Sequence, residues 1–130
     1  MTNFERLHAN MKFVRMKSFL ATRQFREHPH LSTIYVDYLK VAHRIAEATV
    51  PLMHDVVKYA KEKVDDPVCP SLIKYMEQHI PEETDHDEWY VRDMNSIGVS
   101  REEIFNHPPS PNIAALIGSQ QYWIRHHHPI

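Results

Sequence analysis

A chain of 130 residues with 42% hydrophobic side chains is long enough for one compact domain with a buried core and too short to suggest two. Fifteen basic against seventeen acidic residues leave no positive excess to hold a phosphate backbone, which argues against nucleic acid as a partner. The single cysteine, Cys69, has no intrachain disulfide partner, and no apolar run is long enough for a signal peptide or a membrane span, so a cytoplasmic protein that engages no membrane is expected.

Two glycines against nine prolines disfavour the tight turns of a sheet protein, and the prolines fall where helices would end or bend. The expected fold class is therefore all-α, a helical bundle forming a single domain over residues 1–130. Thr2 or Asn3 can cap a first helix, in which Phe4, Leu7, Met11, Val14, Ala21 and Phe25 recur along one face until His28-Pro29-His30 ends it. A longer second helix is predicted over residues 31–63. Leu31, Ile34, Tyr38, Val41, Ile45, Ala48, Leu52 and Tyr59 keep heptad register along its inner seam, and Pro51 should bend it. His43, Glu47 and His54 fall on the opposite side, where a solvated polar face is expected.

Asp65-Asp66-Pro67-Val68-Cys69-Pro70 breaks the chain, and a third helix is predicted over residues 70–95, stopping near Gly98. Ser100-Arg101-Glu102-Glu103 reads as a capping box for a short helix ending before Pro108. From Asn112 to at least Arg125 the pattern is helical again, with Ile113, Leu116, Trp123 and Ile124 facing inward.

The third helix carries the chemistry. Leu72, Met76, His79, Glu83, His86, Tyr90, Asp93 and Ile97 alternate spacings of four and three, so they share one face whose ends are apolar and whose middle holds two imidazoles and a carboxylate. Burying those groups unpaired would cost several kcal/mol, about 2 or more for each. A divalent ion would satisfy them together, and Glu-x-x-His pairs such as Glu83 to His86 build metal sites inside helical bundles. The alternative is that they are solvated or hydrogen-bonded. His79, one turn earlier on the same seam, weighs toward metal. Glu82 can substitute for Glu83, and Asp93 is placed to orient a ligand histidine from behind it. Among His126, His127 and His128, His127 falls on the inner face of the last helix and is the best further candidate. Eleven histidines in all make metal worth looking for, since histidine is the commonest protein ligand. No Gly-rich phosphate loop, serine elbow or cysteine with activating partners is evident, which disfavours nucleotide and acyl-transfer chemistry.

The run from His79-Ile80-Pro81-Glu82-Glu83-Thr84-Asp85-His86-Asp87-Glu88-Trp89 through Arg92-Asp93-Met94 and Ile97-Gly98 resembles the H-x3-E-x2-H-D-x-W signature of iron-containing redox enzymes with a heme-oxygenase-like fold. Gln121-Tyr122-Trp123 through His128-Pro129 resembles the start of that family's later core helix. The resemblance implies a non-heme iron (Fe2+) or diiron site, with manganese or zinc as alternatives, that activates O2 to oxidise a small-molecule substrate. It places Glu83 and His86 at the family's first-half ligands and His79 where some members carry another. Members of the family are nearly twice this length, so the chain corresponds to their N-terminal part and is expected to be cut short at its C-terminus. Two other readings stand beside it: a non-enzymatic helical interaction module, and a metal-free heme-oxygenase-like small-molecule binder. Strong apolar seams on few helices also predict a homo-oligomer, most simply a symmetric dimer.

Overall fold

The computed structural model describes residues 1–129. Every regular element among them is a helix: α1 (Asn3–Arg26), α2 (Leu31–Lys61), α3 (Cys69–Glu83), α4 (His86–Ser96), α5 (Arg101–Asn106) and α6 (Pro111–His126). No helix among the described residues is long and apolar enough to cross a membrane. The chain falls into two compact units, Met1–Tyr35 and Val36–Ile130.

The first unit is dominated by α1, whose start is set by a complete capping box. Thr2 Oγ1 accepts the Glu5 N–H at 3.1 Å, and Glu5 Oε2 accepts the Thr2 N–H at 2.7 Å, satisfying two donors that the helix ladder cannot reach. None of the α1 residues is buried, although Phe4, Leu7, Met11 and Val14 recur as expected. Periodicity identifies the helix here, but the stripe it draws is not covered.

In the second unit the core forms two clusters. Leu39 of α2, Val91 and Met94 of α4 and Ile104 of α5 make the first, with Tyr90 and Val99 packed against it. Leu52 and Val56 of α2 and Ile124 of α6 make the second, flanked by Ala48, Tyr59, Leu72, Met76 and Ile117. Polar ties join the same helices at their rims. Arg44 donates to the carbonyls of Ile104, Phe105 and His107 at the end of α5, where the Ile104 carbonyl also accepts the His107 N–H. Arg125 grips Asp55 at 2.7 Å, and Arg101 holds Glu88 through both guanidinium nitrogens.

Three expectations about helix faces are corrected. The buried stripe of α2 runs through Leu39 and His43 and then Leu52, Met53, Val56, Val57 and Ala60, whereas Tyr38, Val41 and Ile45 of the heptad seam are exposed. His43 is not on a solvated face: it is fully buried, edge-on to Phe105 with ring centroids 5.2 Å apart, and among the described residues neither ring nitrogen has a hydrogen-bond partner. Burial pushes its pKa below the usual 6.5, with Glu47, Asp87 and Glu88 pulling upward and Arg44 downward. On α6, Ile124 is buried as expected, but Leu116 and Trp123 are exposed.

The predicted third helix is two helices. α3 ends at Glu83, Thr84 is extended, and Asp85 takes a left-handed conformation with φ +66° before α4 begins at His86. α3 runs through Pro81, whose missing N–H weakens the ladder there, and the break falls downstream of it. Thr84 closes α3 by sending both its N–H and its hydroxyl to the Ile80 carbonyl, at 3.0 and 2.8 Å. Aspartate tolerates the left-handed region better than most non-glycine residues. At the far end of α4, Gly98 takes φ +88°, and the Val99 N–H folds back to the Met94 carbonyl, as the sequence led one to expect.

Candidate functional site

The break between α3 and α4 lies inside the His79 to His86 motif and shapes it. The Glu83 carboxylate sits between two imidazoles: His79 Nε2 is 3.2 Å from Oε1, and His86 Nδ1 donates to Oε2 at 2.8 Å. The other nitrogen of His79, Nδ1, meets Glu82 Oε2 at 2.6 Å, so Glu82 belongs to the chain of contacts as an outer member. His86 lies over the Trp89 ring at 4.1 Å, and His79 stacks on Tyr75 at 5.4 Å, which fixes the orientation of both imidazoles. The side chains of His79, Glu83 and His86 are 33, 26 and 30% exposed, so the motif lies at the edge of the core, within reach of solvent. Asp93 is exposed on α4; its carbonyl accepts from Ser96 Oγ, and it is not part of this chain.

The motif opens onto a groove of about 400 Å³ between α2 and α4, a volume in the range of small-molecule sites. Glu83 and His86 supply its polar end, and Tyr38, Val41, Ile45 and Trp89 supply apolar wall. The stretch of the α2 heptad seam formed by Tyr38, Val41 and Ile45 thus faces the groove, whereas Leu52 farther along it lies in the core. Trp89 is 56% exposed despite its size, which marks this wall as open surface.

A second cluster of ligand-type side chains was not foreseen. Asp66, Cys69 and His128 bring one ligand atom each within 4.8 Å of one another, a mutual closeness that His79, Glu83 and His86 do not reach, since their two imidazoles contact different oxygens of Glu83. Asp66 accepts the Val68 N–H at 2.8 Å and contacts His128 Nε2 at 2.9 Å. These two bonds, the backbone one first, hold its carboxyl below the ordinary range. Burial, reinforced by the neighbouring Asp66 charge, pushes the Cys69 thiol up. His127 packs on Trp123 at 4.3 Å and is not a member of this cluster. Cys69 has the charged and imidazole neighbours that its sequence context did not reveal. The Asp66-Pro67-Val68-Cys69-Pro70 run, with its Asp-x-x-Cys spacing, was the available signal; the third member lies 62 positions from Asp66.

No family model, curated protein or solved structure matches the chain.

Proposed function

We propose that this is a metal-binding helical protein related to the heme-oxygenase-like non-heme iron enzymes, with Fe2+ held by His79, Glu83 and His86 and a small molecule accepted in the adjoining groove. The observation that carries the reading is the Glu83 carboxylate lying between two imidazoles at the polar end of an otherwise largely apolar groove. Two imidazoles and one carboxylate form a donor set suited to ferrous iron with coordination positions left open, and manganese or zinc would accept the same atoms. Bound iron would supply the activation of O2 for oxidation of the small molecule. The chain's own residues have the other tasks. Glu82 and Tyr75 hold His79 in place, Trp89 holds His86, and Tyr38, Val41 and Ile45 offer apolar contact to a substrate and keep water from its unreactive parts.

The test is metal content. Protein purified from iron-supplemented cells is expected to carry stoichiometric iron, and Glu83→Ala or His86→Ala to lose it while keeping the helical circular dichroism of the wild type. Helicity should survive because both core clusters exclude these two side chains. Equal iron in the wild type and both variants removes the assignment.

A second reading is favoured by the exposure of Tyr38, Val41, Ile45 and Trp89 on one groove. Contiguous apolar surface of this kind is the usual mark of an interface, and a second copy related by a two-fold axis would cover it. Light scattering on the purified chain decides: a dimer that Trp89→Lys dissociates supports a helical interaction surface, and a monodisperse monomer at micromolar concentration rejects it. Iron-free monomer that still binds apolar small molecules in the groove would instead identify a metal-free binder.

A further inference from the structure

We infer that Asp66, Cys69 and His128 form a second metal site, separate from the His79–Glu83–His86 motif, that binds Zn2+ through a thiolate, an imidazole nitrogen and a carboxylate oxygen. Three kinds of observation carry this. The first is composition: sulfur, nitrogen and oxygen donors in one cluster match the mixed ligand sets of tetrahedral zinc, and soft thiolate disfavours magnesium and calcium. The second is preorganisation. Asp66 and Cys69 share a short turn in which Pro67 and Pro70 restrict the backbone, Asp66 accepts the Val68 N–H through its side chain, and its carbonyl accepts the Cys69 N–H at 3.3 Å. Two ligands are therefore held in place before any ion arrives. The third is access. Cys69 is buried, whereas Asp66 and His128 are partly exposed, so an ion would enter from their side and find the sulfur at the bottom.

Binding replaces the hydrogen bond between His128 Nε2 and Asp66 Oδ2 with two metal bonds, and the proton on Nε2 leaves to solvent, with the neutral ring keeping or taking up its one proton at Nδ1. The Cys69 S–H proton is released to solvent as the S–Zn bond forms, and no electron is transferred. Three protein ligands leave one tetrahedral position for water, the composition of an open site and not a sealed structural one. The ion would also fasten the segment after α6 to the start of α3, joining positions 62 apart in sequence.

Cobalt reports on the site directly, because thiolate coordination produces a charge-transfer band that imidazole and carboxylate ligands cannot give. The full chain, stripped with chelator and kept reduced, is expected to develop this band with one equivalent of Co2+ and to lose it when Zn2+ is added. Cys69→Ser should abolish the band, and His128→Gln or Asp66→Asn should weaken cobalt affinity by at least about 10- to 100-fold. Glu83→Gln should leave the band unchanged, and Cys69→Ser should leave iron content unchanged, so that failure of either site is seen independently of the other. On the wild type, Zn2+ should slow alkylation of Cys69 and raise the unfolding temperature; this measurement stands even if a variant fails to fold. Absence of the band in folded wild-type protein, or alkylation equally fast with and without Zn2+, overturns the proposal.

Discussion

Replacing His43 by leucine is expected to stabilise the protein and to flatten part of its pH dependence. A neutral imidazole has one donor and one acceptor, and in this interior neither finds a partner among the described residues. Each unsatisfied buried group costs about 1–3 kcal/mol. Leucine removes both, but forfeits the edge-on contact with Phe105, worth about 0.5–1.5 kcal/mol, and packs a different shape. The expected net gain at pH 8 is about 1–3 kcal/mol, or roughly 4 °C in unfolding temperature per kcal/mol for a chain of this size. The pH effect follows from the lowered pKa of His43. Below 6.5 the unfolded chain takes up a proton that the folded chain refuses, so stability is complete above 6.5 and declines as pH falls toward the folded value. Over that interval the wild type should lose up to about 1.4 kcal/mol per pH unit from this residue, a loss that His43→Leu is spared. Urea unfolding followed by circular dichroism at pH 8, 7, 6 and 5 measures both effects, and the paired comparison cancels the other histidines. A variant less stable than wild type at pH 8, with a gap that stays constant down to pH 5, would show that the imidazole is satisfied and refute the reasoning.

Met94 is fully exhausted of solvent contact at the centre of the first core cluster, so Met94→Ala should cost about 2–5 kcal/mol in urea unfolding; a loss under about 1 kcal/mol would mean that the cluster collapses to fill the space. Asp85→Gly should raise the unfolding temperature slightly, because glycine adopts φ +66° without the roughly 1 kcal/mol penalty of a side chain. Asp85→Val should lower it and also reduce iron content, since a β-branched residue in this conformation would shift His86, the next residue; normal iron loading in a folded Asp85→Val protein would separate the turn from the site.

The helices were readable in the sequence because their ends are set by neighbours a few residues away. Thr2 before α1, Ser100 before α5 and Gly98 after α4 each act within one turn of the chain, although only the Ser100 half of the expected Ser100–Glu103 box forms, the Glu103 carboxylate accepting from Lys40 instead. The adjacency of His79, Glu83 and His86 was legible for the same reason, since spacings of three and four bring side chains together on a helix and survive the short break at Thr84 and Asp85. The break itself was not legible, because the seam spacing continues unbroken across Thr84 and Asp85. Which stripe of a helix is covered could not be read locally, because coverage depends on what other elements bring to it. Tyr38, Val41 and Ile45 form the better apolar pattern, yet α4 and α5 pack where Leu39 lies, and His43 is enclosed with it. The cluster of Asp66, Cys69 and His128 is the extreme case: two members sit three residues apart, but the third is delivered by the path of α6 back to the turn before α3. Local chemistry specified the helices and one motif; the choice between buried and open faces, and the meeting of residues distant along the chain, arose from packing.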